Sequence, residues 1–302
     1  MGDVLVKAGG YIFIILLGHI LRRRGFFGEN AFPVLSNIVI KITLPAAIIV
    51  GSSGKTIDMA MLAVMGLGFG SGVVYILVAA LLHSRDSRER LAFSILNTPG
   101  YNIGAFAMPF TQSFLGSMGI VTTSLFDMGN AFVCLGGSYG VASAVKAGEG
   151  FNMKRILRTL SRSVPFLAYL LMLFLNLAGW KLPEPVLSVV RVGADANPFM
   201  AMLMIGVGFE LSGDRKRLGA MAKILIPRYT LAAVLALVYY FVLPFSLEIR
   251  QALVILAFSP ISASVPGFTA ELKGDAGLSS AINSISIVCS TVIIVVLLVA
   301  ML

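Results

Sequence analysis

Leu96-Asn97-Thr98-Pro99-Gly100-Tyr101-Asn102-Ile103-Gly104 interrupts an apolar run that otherwise fills 90–115, and Ser259-Pro260-Ile261-Ser262-Ala263-Ser264-Val265-Pro266-Gly267 does the same within 250–271. Each interruption falls near the middle of its run. Proline removes a backbone donor and clashes with the preceding turn, leaving carbonyls unpaired. Lipid cannot satisfy such groups, so broken backbone at this depth must face protein or water. A matched pair of breaks gives four half-helices meeting near the midplane. Their N-terminal ends present free N–H groups to an anion, and their C-terminal ends present carbonyls to a cation. The alternative, that the prolines merely kink helices for packing, accounts less well for the Asn, Thr and Ser residues set beside them.

The rest of the chain places these breaks in a bilayer. Of 302 residues, 58% are hydrophobic and 12% charged, against about 45–50% and about 25% in soluble domains. A water-soluble globule is excluded. A net charge of +9 raises the question of nucleic acid, but the cations fall in short runs between apolar stretches, with no basic helical face interleaved with aromatics. Nucleic acid is therefore not an expected partner, and the lipid bilayer is.

A hydrocarbon core about 30 Å thick takes roughly 20 residues of helix. Ten stretches fit, near 4–21, 31–51, 59–83, 90–115, 118–145, 160–180, 185–211, 220–244, 250–271 and 276–301. The chain is expected to be an all-α polytopic membrane protein with no room for a soluble domain. Arg22, Arg23 and Arg24 follow the first run instead of preceding it, so that run reads as a retained segment and not a cleaved signal peptide. Cys134 and Cys289 fall inside predicted spans and read as packing residues.

Loop cations set the orientation. One side receives Arg22, Arg23, Arg24, Arg85, Arg88, Arg90, Lys146, Lys154, Arg155, Arg158, Arg215, Lys216, Arg217 and Lys273, the other only Lys55, Lys181 and Arg250. The first side is expected to be cytoplasmic, which puts both termini outside the cytoplasm of a cell (inner) membrane. Ten spans divide into halves, 1–146 and 147–302, and five spans per half oblige the second to enter from the opposite face. Pro45 in the second span and Pro198 in the seventh, with breaks in the fourth and ninth, repeat at matching positions, as in inverted-repeat carriers.

The segments "FIILLGHILRRRGFF", "KITLPAAI", "NTPGYNIGAFAMPF", "FDMGNAF" and "SPISASVPGFTAELKGDAGLSSAINSISIV", in this order and spacing, resemble the bacterial branch of the auxin efflux carrier family over nearly the whole chain. The resemblance implies a ten-helix fold related to the bile acid:sodium symporters. In it, the broken helices cross in a mobile core of spans 3–5 and 8–10, against a scaffold of spans 1, 2, 6 and 7. It also implies transport of organic anions such as auxin, malate or malonate, and pairing of two copies through the scaffold as a homodimer.

Ionisable groups at membrane depth are costly and are functional candidates by default. Asp127 stands alone in the fifth span with Asn130 one turn on, a candidate proton carrier or cation ligand; the alternative is a carboxyl that only ties helices together. Asn283, with Ser284 and Ser286, occupies the matching region of the tenth span and would add oxygen ligands, although such residues commonly bond to a neighbouring helix. Lys41 precedes Pro45 as Asp195 precedes Pro198, so the two could pair or line the substrate path, with Lys41 drawing in a carboxylate; alternatively Arg191 satisfies Asp195 locally and Lys41 snorkels. Glu210, Arg228, Glu271 and His19 read as structural groups near span ends. Gly66, Gly68, Gly70 and Gly72 form two overlapping G-x-x-x-G spacings that read as helix packing, not a nucleotide motif.

No internal nucleophile with its base, carboxylate dyad or H-E-x-x-H is present, so an intramembrane enzyme is not expected. No cofactor or metal is expected, and the lack of a Walker sequence excludes ATP-driven transport by this chain alone. The expected function is secondary transport of a small organic carboxylate by alternating access. The substrate-binding residues would be Asn97, Thr98, Pro99, Asn102, Ser259, Pro260, Ser262, Ser264 and Pro266, with Lys41 on the scaffold side; Asp127, Asn130 and Asn283 would hold a proton or coupling ion. The alternatives are a sodium-coupled symporter of a larger amphipathic anion, and a channel.

Overall fold

The computed structural model describes residues 2–28, 30–147, 152–209 and 217–302, and among these it is helical without a strand. In chain order the helices are α1 (Gly2–Arg23), α2 (Ala31–Ile38), α3 (Leu44–Ser52), α4 (Met59–Leu82), α5 (Arg88–Asn97), α6 (Met108–Phe132), α7 (Ser138–Ala147), α8 (Met153–Ser161), α9 (Val164–Leu177), α10 (Glu184–Gly208), α11 (Leu218–Phe241), α12 (Leu247–Ala257), α13 (Val265–Glu271) and α14 (Ala276–Met301). Glu210, Arg215, Lys216 and the end of the seventh run at 211 lie outside the described residues. Among the described residues, seven helical stretches are long and apolar enough to cross a membrane, or up to eight if the α8–α9 pair, bent by 79°, is counted as one span. The chain is a multi-pass membrane protein.

The two interrupted runs fall outside that count as separate spans because each is divided. The first stops at Asn97 and resumes as a π-helical turn, Ile103–Ala107, that leads into α6; the second stops at Ala257 and resumes at Val265. Helix α6 is itself two arms folded at Gly116, whose φ of 57° and ψ of −145° only glycine adopts readily. Thr123 Oγ1 lies 2.8 Å from Thr111 Oγ1, whereas a straight helix would hold residues so spaced about 18 Å apart. The run at 90–115 thus turns directly into the run at 118–145, as their separation in the sequence predicts.

Three readings of the spans are corrected by the structure. Pro198 does not interrupt its span: α10 runs through it. The carbonyl that proline leaves without a helical donor, Ala194 O, accepts from Gln112 Nε2 at 3.0 Å, so the missing bond is replaced from α6. Pro45 sits in the first turn of α3, after the π-helical turn Val39–Thr43, and the second span likewise continues through it. The sixth span is shorter than expected, because the polypeptide from 153 to 161 is a separate helix lying across it.

Two close pairings organise the packing. Helix α10 packs on α1, α2 and α3, and α3 on α9; Gly206 would place a Cβ 2.1 Å from Ile15 O, so α1 and α10 touch backbone to backbone. Helices α4 and α6 do the same at Gly68 and Gly129, while α12, α13 and α14 enclose the second break. Of the glycine spacings in α4, Gly68 and Gly72 face a neighbour, whereas Gly66 and Gly70 have nothing within 4 Å among the described residues.

Candidate functional site

The two breaks lie against each other. The Asn102 amide donates to Pro260 O at 2.9 Å, and Gly100, at φ +79°, brings its backbone beside Cys134 and Ser262. Unwound backbone inside a membrane protein needs partners for every freed group, and here each break has its own. Asn130 Oδ1 accepts from the Tyr101 amide (3.1 Å), and its Nδ2 donates to Tyr101 O (3.1 Å) and to Asp127 Oδ1 (2.8 Å). On the second break, Ser286 Oγ accepts from the Ile261 amide (3.1 Å) and Asn283 Nδ2 donates to Ile261 O (2.8 Å) and Ser262 O (3.1 Å). Residues of α6 and α14 thus perform the same task on the first and second breaks.

A cation completes the arrangement. Arg228, from the middle of α11 and 1% exposed, donates through Nη1 to Thr98 O and through Nη2 to Gly100 O (3.1 Å) and Ser259 O (2.9 Å). Its guanidinium lies 5.3 Å from the Tyr75 ring and 5.4 Å from the Tyr101 ring. This corrects the reading of Arg228 as a residue near a span end: it binds the carbonyl-bearing ends of both breaks and so occupies the place where a free cation would otherwise be drawn. Its depth in the run at 220–244 was the available signal.

Asn97, Thr98, Asn102, Ser259 and Ser262 are buried; Ser264 and Pro266 are partly exposed beside exposed Ala263 and Gly267. Asn97 cross-links its neighbours, with Nδ2 3.2 Å from Thr269 Oγ1 and Oδ1 accepting from Ser279 at 2.5 Å. Cys134 Sγ is 2.9 Å from Ser262 Oγ, which is 2.9 Å from Ser264 Oγ. The Ser259 hydroxyl is buried without a partner among the described residues.

Asp127 stands where the first break meets α3 and α9. Its Oδ2 accepts from Tyr169 at 2.8 Å and lies 3.6 Å from where a Cβ on Gly104 would be, with Leu44 on the other side of that position. The carboxylate therefore sits beside the N-terminal turn of the half-helix that begins at Ile103, where backbone N–H groups point outward. Tyr169 carries no signal in the sequence beyond being a polar tip in an apolar run.

Lys41 is brought to none of these groups. Lys41 and Asp195 are both exposed and form no ion pair among the described residues; Arg191 pairs with Glu184 at 3.4 Å and not with Asp195. The contact between the second and seventh spans is instead neutral: Thr43 Oγ1 donates to Asn197 Oδ1 (3.0 Å), and Asn197 Nδ2 to Gln112 Oε1 (3.3 Å). A cavity of about 600 Å³ opens between α5, α7, α11 and the turn before α14, lined in part by Arg90, Lys223, Lys273 and Ser94. The buried Ser94 hydroxyl, one turn before Asn97, has no partner among the described residues.

No protein-family model matches the chain. The chain is similar to a protein of Methanothermobacter thermautotrophicus described as an uncharacterized transporter, with 27% identity over 210 residues. The alignment covers 67% of this chain and 66% of that relative, so just under two-thirds of the relative's length is matched.

Proposed function

We propose that the protein is a secondary transporter that moves a small organic anion across the cell membrane by alternating access at the crossing of its two broken spans. The observation that carries this reading is the contact between the breaks, each latched by polar residues of the following span. Counting each broken run as one crossing adds two spans to the eight and gives ten, in two inverted halves, with the cation-rich loops cytoplasmic and both termini outside. The fourth and ninth spans, held respectively by Asn130 and by Asn283 with Ser286, are then related by the repeat.

Substrate enters from the side of Ala263, Ser264 and Gly267 and is bound by Ser264, Ser262 and Asn102, once the packing that buries them opens. The cavity at Arg90 and Lys223 serves as the cytoplasmic vestibule, reaching Ser94 one turn before the first break. Asp127 is the coupling group. Its carboxylate already lies beside the N-terminal turn of the half-helix that begins at Ile103, so a second anion is accepted there only when a proton or a cation neutralises it. Similarity to a protein described as an uncharacterized transporter supports the general class.

Purified protein in proteoliposomes, screened with malate, malonate and indole acids with and without sodium, tests the reading. Ser264→Ala and Asn102→Ala should each lower uptake of the accepted acid by about tenfold, the scale of one lost hydrogen bond to a charged ligand. Wild-type uptake in a folded, correctly inserted double variant would remove the crossing as the binding site. Asp127→Asn should retain binding but lose the dependence of flux on a pH gradient. A gradient response equal to wild type would show that Asp127 carries no proton, and an equal loss of sodium dependence would assign it to that ion instead.

A further inference from the structure

We propose that α8 is an in-plane helix whose basic pocket binds the phosphate of an anionic phospholipid headgroup, a site separate from the crossing. Met153, Ile156, Leu157 and Leu160 recur at helical spacing, and α8 meets α9 at 79°, so it lies across the bundle and not along it. Ile156 and Leu160 are buried, whereas Met153 and Leu157 are 51% and 54% exposed. An apolar edge of this kind beside a run of cations is the pattern of a helix seated at the headgroup boundary.

The pocket behind that edge, about 520 Å³, is lined by Lys154, Arg155, Arg158 and Arg162 together with Asn152 and Ser163. Arg155 is engaged: it pairs with Glu271 at 2.7 Å and lies 4.0 Å from the Tyr139 ring. No carboxylate pairs with Lys154, Arg158 or Arg162 among the described residues. Ser163 caps the N-terminus of α9 at the same place, which adds the positive end of that helix. Three cations without a carboxylate partner among the described residues, with hydroxyl and amide donors beside them, suit the oxygens of a phosphate, and exposed Met153 and Leu157 lie where acyl chains would begin. Charge complementarity with an anionic leaflet selects a lipid over a neutral headgroup. The site also has a mechanical setting, because Ile156 rests on Gly136 at the kink of the fifth span and Arg155 holds the second arm of the ninth.

Calorimetric titration of the detergent-solubilised full chain with dioctanoyl phosphatidylglycerol, dioctanoyl phosphatidylcholine and inorganic phosphate tests this. Saturable binding of the phosphatidylglycerol is expected, about a hundredfold weaker in Lys154→Gln/Arg158→Gln/Arg162→Gln and unchanged in Arg23→Gln/Arg24→Gln/Arg88→Gln. The single variant Arg158→Glu, at an exposed position, should show most of the same loss if the triple variant does not fold. Equal binding of phosphatidylcholine, or undiminished phosphatidylglycerol binding in the α8 variants, overturns the site. Inorganic phosphate binding as tightly as the lipid overturns the lipid as its occupant.

Discussion

Arg228→Leu should lower the melting temperature of the detergent-purified protein by about 5–8 °C, a larger loss than any substitution at a polar side chain of the breaks. The arginine is buried and its donors reach three carbonyls, Thr98 O, Gly100 O and Ser259 O, that belong to unwound backbone and have no helical donor. Leucine fills part of the volume but leaves all three acceptors in apolar surroundings, each costing about 1–3 kcal/mol when unsatisfied. Local rearrangement lets some of these carbonyls find other donors, so the net cost is about 3–5 kcal/mol, the range seen when one partner of a buried charged contact is removed, and this converts to the shift above for a chain of this size. Arg228→Lys keeps the charge but replaces a planar fork with a single ammonium, which cannot span Thr98 and Ser259 together. It should melt between wild type and the leucine variant. Equal melting of all three proteins would mean that the breaks are held by Asn130, Asn283 and Ser286 alone.

The positions of nearly all the apolar runs were legible because membrane thickness sets helix length, and that constraint acts on local composition. The breaks at Pro99 and Pro260 were legible for a related reason: several polar and helix-breaking residues together cannot be carried through lipid in a regular helix. Pro198 misled because the damage a single proline does depends on a distant residue. Its orphaned carbonyl is repaired by Gln112, and nothing near 198 in the sequence announces that donor. The Lys41 and Asp195 reading failed in the same way, since matching positions in two halves say nothing of the rotation of each helix, and here both charges face outward. Arg228 read as a structural group near a span end, because its role depends on tertiary contacts with residues 128–130 positions away in one direction and 31 in the other. The elbow at Arg162 was hidden because residues 153–159, with Lys154, Arg155 and Arg158 among them, read as a loop, and residues 160–163 as the start of the sixth run.

Gly129→Ala should be the most disruptive single methyl group that can be added to α6. The new Cβ would lie 2.0 Å from Met65 O and 2.7 Å from Phe69 N, both backbone atoms of α4, and Gly68 faces α6 in the same way, 2.0 Å from Phe126 O. Neither contact can be relieved by turning a side chain, so the two helices must part. Overpacking of this kind costs up to about 3 kcal/mol and occasionally more. The consequence reaches the crossing because Gly129 lies between Asp127 and Asn130: moving this turn away from α4 pulls Asn130 against its bonds to Tyr101. Cys134, one turn further and in contact with Ser262, reports the outcome. In a Cys289→Ser background, its thiol should be protected from alkylation in the parent and labelled faster in Gly129→Ala and Gly68→Ala. Gly66→Ala and Gly70→Ala, which add a methyl to open space on the same α4 helix, should leave labelling unchanged and stability at or slightly above the parent, given the helix preference of alanine over glycine. If all four alanine variants label and melt alike, the α4–α6 contact is not what holds Asn130 on the first break.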